Sequence, residues 1–312
     1  MVYLSGIKQK FEKSKFLNIK SESLTRTKFL TKSRHLDIVA ISLKHFSFIS
    51  AFLGIVALLT TIIFIFVNGF PYISSELLFG EFNYGGDPSI FSSIVSTLML
   101  VFLTSLLAFP IGIMAAIFLA EYSKRDSKLV RLIRLMSETL SGIPSIVYGL
   151  FGMLFFSQLL KLGTSILAGG LTLTLMIIPT TIRGTEESLL MVNESLREAS
   201  YALGAGKLKT IRRVVLPSAL PGICASVILG ISRMIAESAP VLFTMGASIK
   251  PMPKNFKSSG ASLAVALYAL GREWMHINES YATACILIIL VLLLNLLSQG
   301  IVKVLGKRIK GA

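Results

Sequence analysis

Six stretches of this 312-residue chain are apolar, long and free of Lys, Arg, Asp and Glu, and they limit its fold more than any other feature. They are residues 45–75, 88–120, 139–160, 162–182, 214–232 and 280–302. A helix crosses a bilayer with about 20 apolar residues, so each stretch is long enough. Within the two longest, the helices are expected near 46–68 and 92–120. The fifth is expected to continue past Arg233 and Glu237 to about residue 246. In lipid, only helices and closed barrels satisfy every backbone group, and these runs are too long and continuous for barrel strands. The expectation is an all-α polytopic membrane protein with six transmembrane helices, which puts both termini on one side.

The charges that remain are sorted by loop. Of 31 Lys and Arg, 25 fall in residues 1–44, 121–138, 183–217 and the tail after 302. Five fall in 69–91, 161 and 247–279, and Arg233 is the last. Lys and Arg collect on the cytoplasmic side of membrane proteins, so both termini are expected there. Only 15% of residues are charged, against about 25% in soluble domains, which excludes a soluble enzyme with one wet surface. Three regions follow: a basic segment 1–44, a membrane domain 45–305 and a short tail 306–312. Lys8, Lys10, Lys13 and Lys15 lie in a tail that is either solvated or drawn to anionic lipid or a partner. With 44 polar residues before the first span, no cleavable signal peptide is expected.

Inside the spans, Ala108, Gly112 and Ala116, and then Gly222, Ser226 and Gly230, place small residues at every fourth position. That spacing lets helix backbones approach closely. Prolines 144, 179 and 240 should bend or break helices. Cys224 and Cys285 read as small buried hydrophobes, with no bridge or metal site implied. His35, His45 and His276 are scattered, so neither a metal site nor a catalytic triad is expected, and no cofactor is called for. There is no GxxxxGK[ST] loop. Gly206-Lys207 is followed by Leu208, so ATP hydrolysis is expected only on separate subunits and the chain is not read as an enzyme.

Between the fourth and fifth spans lie about 30 polar residues. Residues 189–203 favour helix, Gly204 and Gly206 punctuate it, and Lys207 to Val215 form a second, basic amphipathic piece leading to Pro217. This predicts helix, glycine turn and helix at the membrane surface, or else an ordinary connector. The spacing is more informative. Glu198-Ala199-Ser200, three residues, Gly204, nine residues and Val214-Val215-Leu216-Pro217 resemble the signature loop of permease subunits of binding-protein-dependent ABC importers. That loop reads Glu-Ala-Ala, three residues, Gly, nine residues, Ile-x-Leu-Pro; Ser200 and Val214 are mild departures.

Three further segments resemble the phosphate-permease (PstA) branch: Ser141 to Gly152, Leu216 to Ile223 and Ile231 to Thr244. Where that branch has Gly-Glu-Thr-Ala-Pro, this chain has Ala236-Glu237-Ser238-Ala239-Pro240. The likeness covers roughly residues 45–305. It implies half of the translocation pathway of an ATP-driven phosphate importer in a bacterial plasma (inner) membrane. The implied partners are a second homologous permease subunit, two ATP-binding subunits and an extracytoplasmic phosphate-binding protein; no nucleic acid is implied. It also implies that the loop docks in a cleft of an ATP-binding subunit, with Glu198 and Gly204 anchoring and turning it and Ala199, Leu216 and Pro217 completing it. A permease for another oxyanion, molybdate or sulfate, is the alternative. An ion-driven secondary transporter is a further one, often built from two inverted halves, and none are evident.

Charges inside spans are costly and mark pathways by default. Arg233 and Glu237 are four apart and share a helical face with the stripe of Gly222, Ser226 and Gly230. A guanidinium offers bidentate recognition of an oxyanion, and Glu237 would hold it in place. The competing reading is a salt bridge that only fixes packing. Arg183 and Glu186 read as a second pair, with Glu187 beside them. They form either an exit gate with anion contact or a helix end with snorkelling charges.

Overall fold

The computed structural model describes residues 41–80, 88–123, 127–247, 249–272 and 276–310, with side chains as far as Gly300. Lys8, Lys10, Lys13 and Lys15 lie outside the described residues. Every described element is helical. Five helices are long and apolar enough to cross a membrane, and a sixth span results if one sharply bent pair is counted as one. The chain divides into two compact units, one up to Phe64 and one from Ile65 onward. In the first, the long helix α1 (Ile41–Tyr72) begins, and its side chains up to Phe64 are exposed.

The second unit is built around α6 (Ile166–Leu190), two thirds of whose apolar window is buried. Ser165 caps α6, its Oγ accepting from the Ala168 N–H at 3.2 Å. Leu167 and Ile166 donate their N–H groups to Phe256 O and Ser258 O, so the chain after residue 245 satisfies the helix's orphan donors. Against α6 lies α3 (Phe91–Tyr122). The small-residue spacing does there what it predicts. A Cβ on Gly112 would lie 2.7 Å from the Thr181 methyl, and one on Gly170 would lie 2.6 Å from Leu103. Ala108 and Ala116 are fully buried.

The remaining elements flank this pair. The short α2 (Ser75–Phe79) precedes α3. An amphipathic α4 (Lys128–Ser141) meets α5 (Ser145–Leu159) at a bend of 98°. After α6 come α7 (Glu194–Ala202), α8 (Lys207–Ala236), α9 (Ala239–Thr244), α10 (Leu263–Arg272) and α11 (Ile277–Lys310). The stripe on α8 packs on α6 and α3. Gly222 faces Ser188, Ser226 faces Gly184, and Gly230 meets the Phe109 ring.

Three expectations need correction. The third span is not one helix over 139–160. Its charge-free window starts in the last turn of α4, and Pro144 turns the chain into α5, because the residue before a proline avoids helical geometry. The fifth span does not run unbroken to 246. It stops at Ala236, because Pro240 lacks an N–H and its ring would clash with the carbonyl four residues back. Glu237 is extended there, with ψ 122°, and Pro240 then opens α9. The basic piece Lys207 to Val215 is not a separate surface helix. It runs through a π-helical turn, Ile211–Val215, straight into the fifth span. The last span, Ile277–Gly300, lies where expected, and its helix continues beyond it to Lys310.

Candidate functional site

Two regions of the second unit gather the residues that sequence singles out. The first is the break in the fifth span. Arg233 occupies the last turn of α8, and its Nε lies 3.3 Å from Glu237 Oε1. The arginine side chain is 40% exposed and the glutamate 16%. The pair is therefore made, with the cation on the open side. An exposed guanidinium backed by a half-buried carboxylate keeps free N–H edges for an anion.

The break is seated on α5. A Cβ on Gly149 would lie 2.9 Å from Pro240 Cα and 3.1 Å from Ala239 O. Beside it, buried Tyr148 donates its hydroxyl to Leu140 O at 2.9 Å, tying α5 back to α4. The segments around Ser141–Gly149 and Ala236–Pro240, far apart in sequence, thus meet backbone to backbone. Because backbone atoms cannot swing aside, Gly149→Val is expected to cost about 1–3 kcal/mol by overpacking. A lowered thermal aggregation midpoint in detergent would check it. Next to this region, Ser232 donates to Asn295 Oδ1 at 2.7 Å, joining α8 to α11. Both line a cleft of about 530 Å³ with Cys224 and Gln299.

The second region is the loop end of the bundle. Arg183 pairs with Glu187 at 3.1 Å, one turn along α6, and both are exposed. Glu186 is buried and is held instead by Arg134 of α4, at 2.6 Å. The expected Arg183–Glu186 pair is therefore corrected: they are three positions apart, but Glu186 turns toward α4 while Arg183 turns outward. The four groups line a pocket of about 180 Å³ with Ser137 and Glu138.

Beyond α6, Asn193 caps α7, and the signature stretch follows. Glu198 and Ala199 lie on the exposed face of α7. Gly204 has φ +77°, the left-handed conformation that ends a helix and that glycine adopts without strain. Ser200 meets the Thr210 hydroxyl at 2.8 Å, so the serine that departs from the signature clasps the two arms of the loop. Leu216 and Pro217 are half-buried where α8 enters the bundle. Sequence reasoning missed Arg134, Glu121, Arg197 and Asn295. Their partners lie 52 to 76 residues away in the chain, which no local spacing can reveal. Among the described residues no group of three His, Cys, Asp or Glu could hold a metal.

Residues 108–311 match the family described as binding-protein-dependent transport system inner membrane component. The chain belongs to this permease family. It is 36% identical over 261 residues to a phosphate transport system permease protein PstA homolog of Mycoplasma genitalium. That alignment spans 79% of this chain and 38% of the relative. It is 38% identical to the phosphate transport system permease protein PstA of Mycobacterium leprae, over 69% of this chain and 70% of that one. In fold, the permease is similar to a chain of the MetNI methionine ABC transporter in an inward-facing conformation. The TM-score is 0.53 and identity 21%, covering 69% of this chain and 93% of that one.

Proposed function

We propose that this chain is one permease subunit of an ATP-driven phosphate importer, supplying half of the translocation pathway. The observation that carries the reading is the break at Glu237–Ser238, which leaves Arg233 half-exposed and backed by a carboxylate while Pro240, beyond the break, rests on Gly149. The PstA names of relatives above 30% identity favour phosphate over molybdate or sulfate. Arg183 and Glu186, in the 180 Å³ pocket, stand as a second contact point for the anion near the loop end.

The excess of Lys and Arg in four of the seven non-spanning segments supports cytoplasmic termini and a cytoplasmic α7 loop. The exposed face of α7 with Glu198 and Ala199, its turn at Gly204 and the entry at Leu216 and Pro217 form the contact to an ATP-binding subunit. Two such subunits, a second homologous permease and an extracytoplasmic phosphate-binding protein complete the machine. Closure of the ATP-binding subunits moves α7, and the pathway alternates its access.

The test is phosphate uptake at low external phosphate by cells lacking this chain, with the gene restored or not. High-affinity uptake should vanish and return on restoration. Uptake that stays unchanged in cells with no other high-affinity phosphate system would move the reading to another oxyanion.

A further inference from the structure

Arg197 precedes Glu198 in α7 but faces the other way. Its side chain is 9% exposed, and that of its partner Glu121 is 5% exposed. Arginine and glutamate are almost never this buried unless paired. Here every N–H of the guanidinium is used. Nε and Nη2 donate to Glu121 Oε1 at 3.2 and 2.8 Å. Nη2 also donates to Leu189 O at 2.9 Å, and Nη1 to Val192 O at 2.8 Å and Glu194 Oε2 at 3.2 Å.

Each acceptor belongs to a different part of the machine. Glu121 sits in the π-helical last turn of α3, Phe118–Tyr122. Leu189 O is one of the last carbonyls of α6, which have no partner within their own helix. Val192 lies in the turn to α7, and Glu194 opens α7. α3 and α6 are interlocked by glycine contacts, and α6 is interlocked with α8, which carries Arg233.

We infer that Arg197 is a positioning residue that fastens α7 to the ends of α3 and α6, so that motion of the loop helix is delivered to the pathway helices rather than lost in the loop. The inference rests on the proposed coupling role of α7. Lysine replaces this group only in part, since one ammonium cannot reach two carboxylates and two carbonyls across the fork that guanidinium spans.

The test uses the whole complex, with its ATP-binding subunits and binding protein, in lipid vesicles with inorganic phosphate. Phosphate moved per ATP hydrolysed is measured beside amide hydrogen exchange across Glu194–Ala202. Arg197→Ala should lower the transport ratio about tenfold, within the usual span of couplings between sites. It should also speed exchange in α7 about tenfold while the spans stay protected. Arg197→Lys should fall between. Glu121→Gln combined with Arg197→Lys should be no worse than the more damaging single change, as linked partners require. An Arg197→Ala complex with a wild-type ratio, or with unchanged exchange in α7, overturns the strut. So does uptake that falls only in step with the amount of assembled complex. The exchange arm needs no substrate, so it decides the strut even where the wild-type complex moves an anion other than phosphate.

Discussion

Replacing Arg233 by alanine should reduce phosphate uptake by about a hundredfold, the scale of removing one partner from a close charge pair. The complex should still assemble. The side chain is 40% exposed, so its loss leaves little cavity, and α8 stays held by Gly222, Ser226 and Gly230 against α6 and α3. The variant does leave Glu237 without its cation, and an uncompensated half-buried charge is itself destabilising. The double variant Arg233→Ala with Glu237→Ala separates the two effects. If Arg233 meets the anion, the double variant regains any lost assembly but not uptake. If uptake returns with assembly, the pair only fixes packing. Arg233→Lys should be intermediate, keeping the charge and losing the planar fork.

Sequence alone carried much of this architecture, for a physical reason. Lipid forces every spanning segment to be both helical and apolar, so length and charge mark the spans without further information. The small residues at 108, 112 and 116 and at 222, 226 and 230 likewise announced the faces that touch. Charge counting alone passes over the breaks at Pro144 and Pro240, because proline carries no charge, but the prolines themselves announced both. What stayed hidden depended on distance along the chain. Spacing offered Glu186 to Arg183, whereas the fold gives it Arg134, 52 residues upstream. Arg197 carries no local signal either, because its partner Glu121 comes from the end of α3, 76 residues upstream. The exposed half of the loop signature, Glu198 to Gly204, was legible because its spacing is local.

Gly204→Val should also cripple transport, by another route. No atom lies within 4 Å of a Cβ built on Gly204, so the site has room for a side chain. The obstacle is the backbone. At φ +77° an L-residue costs about 1–2 kcal/mol, and valine, branched at Cβ, is a genuine outlier there. The chain then reshapes the turn between α7 and Lys207, straining the Ser200–Thr210 clasp, and α7 presents Glu198 and Ala199 at a wrong angle. Uptake should fall about tenfold or more while ATP hydrolysis continues, the size expected when two sites lose their coupling. Gly204→Asn supplies the contrast, since asparagine tolerates the left-handed region and should keep most uptake. If valine and asparagine impair uptake equally, the turn's conformation is not what matters. A side chain of any kind would then be obstructing the face against which an ATP-binding subunit sits. If both variants transport normally, α7 is not the coupling element, and the signature spacing is a connector.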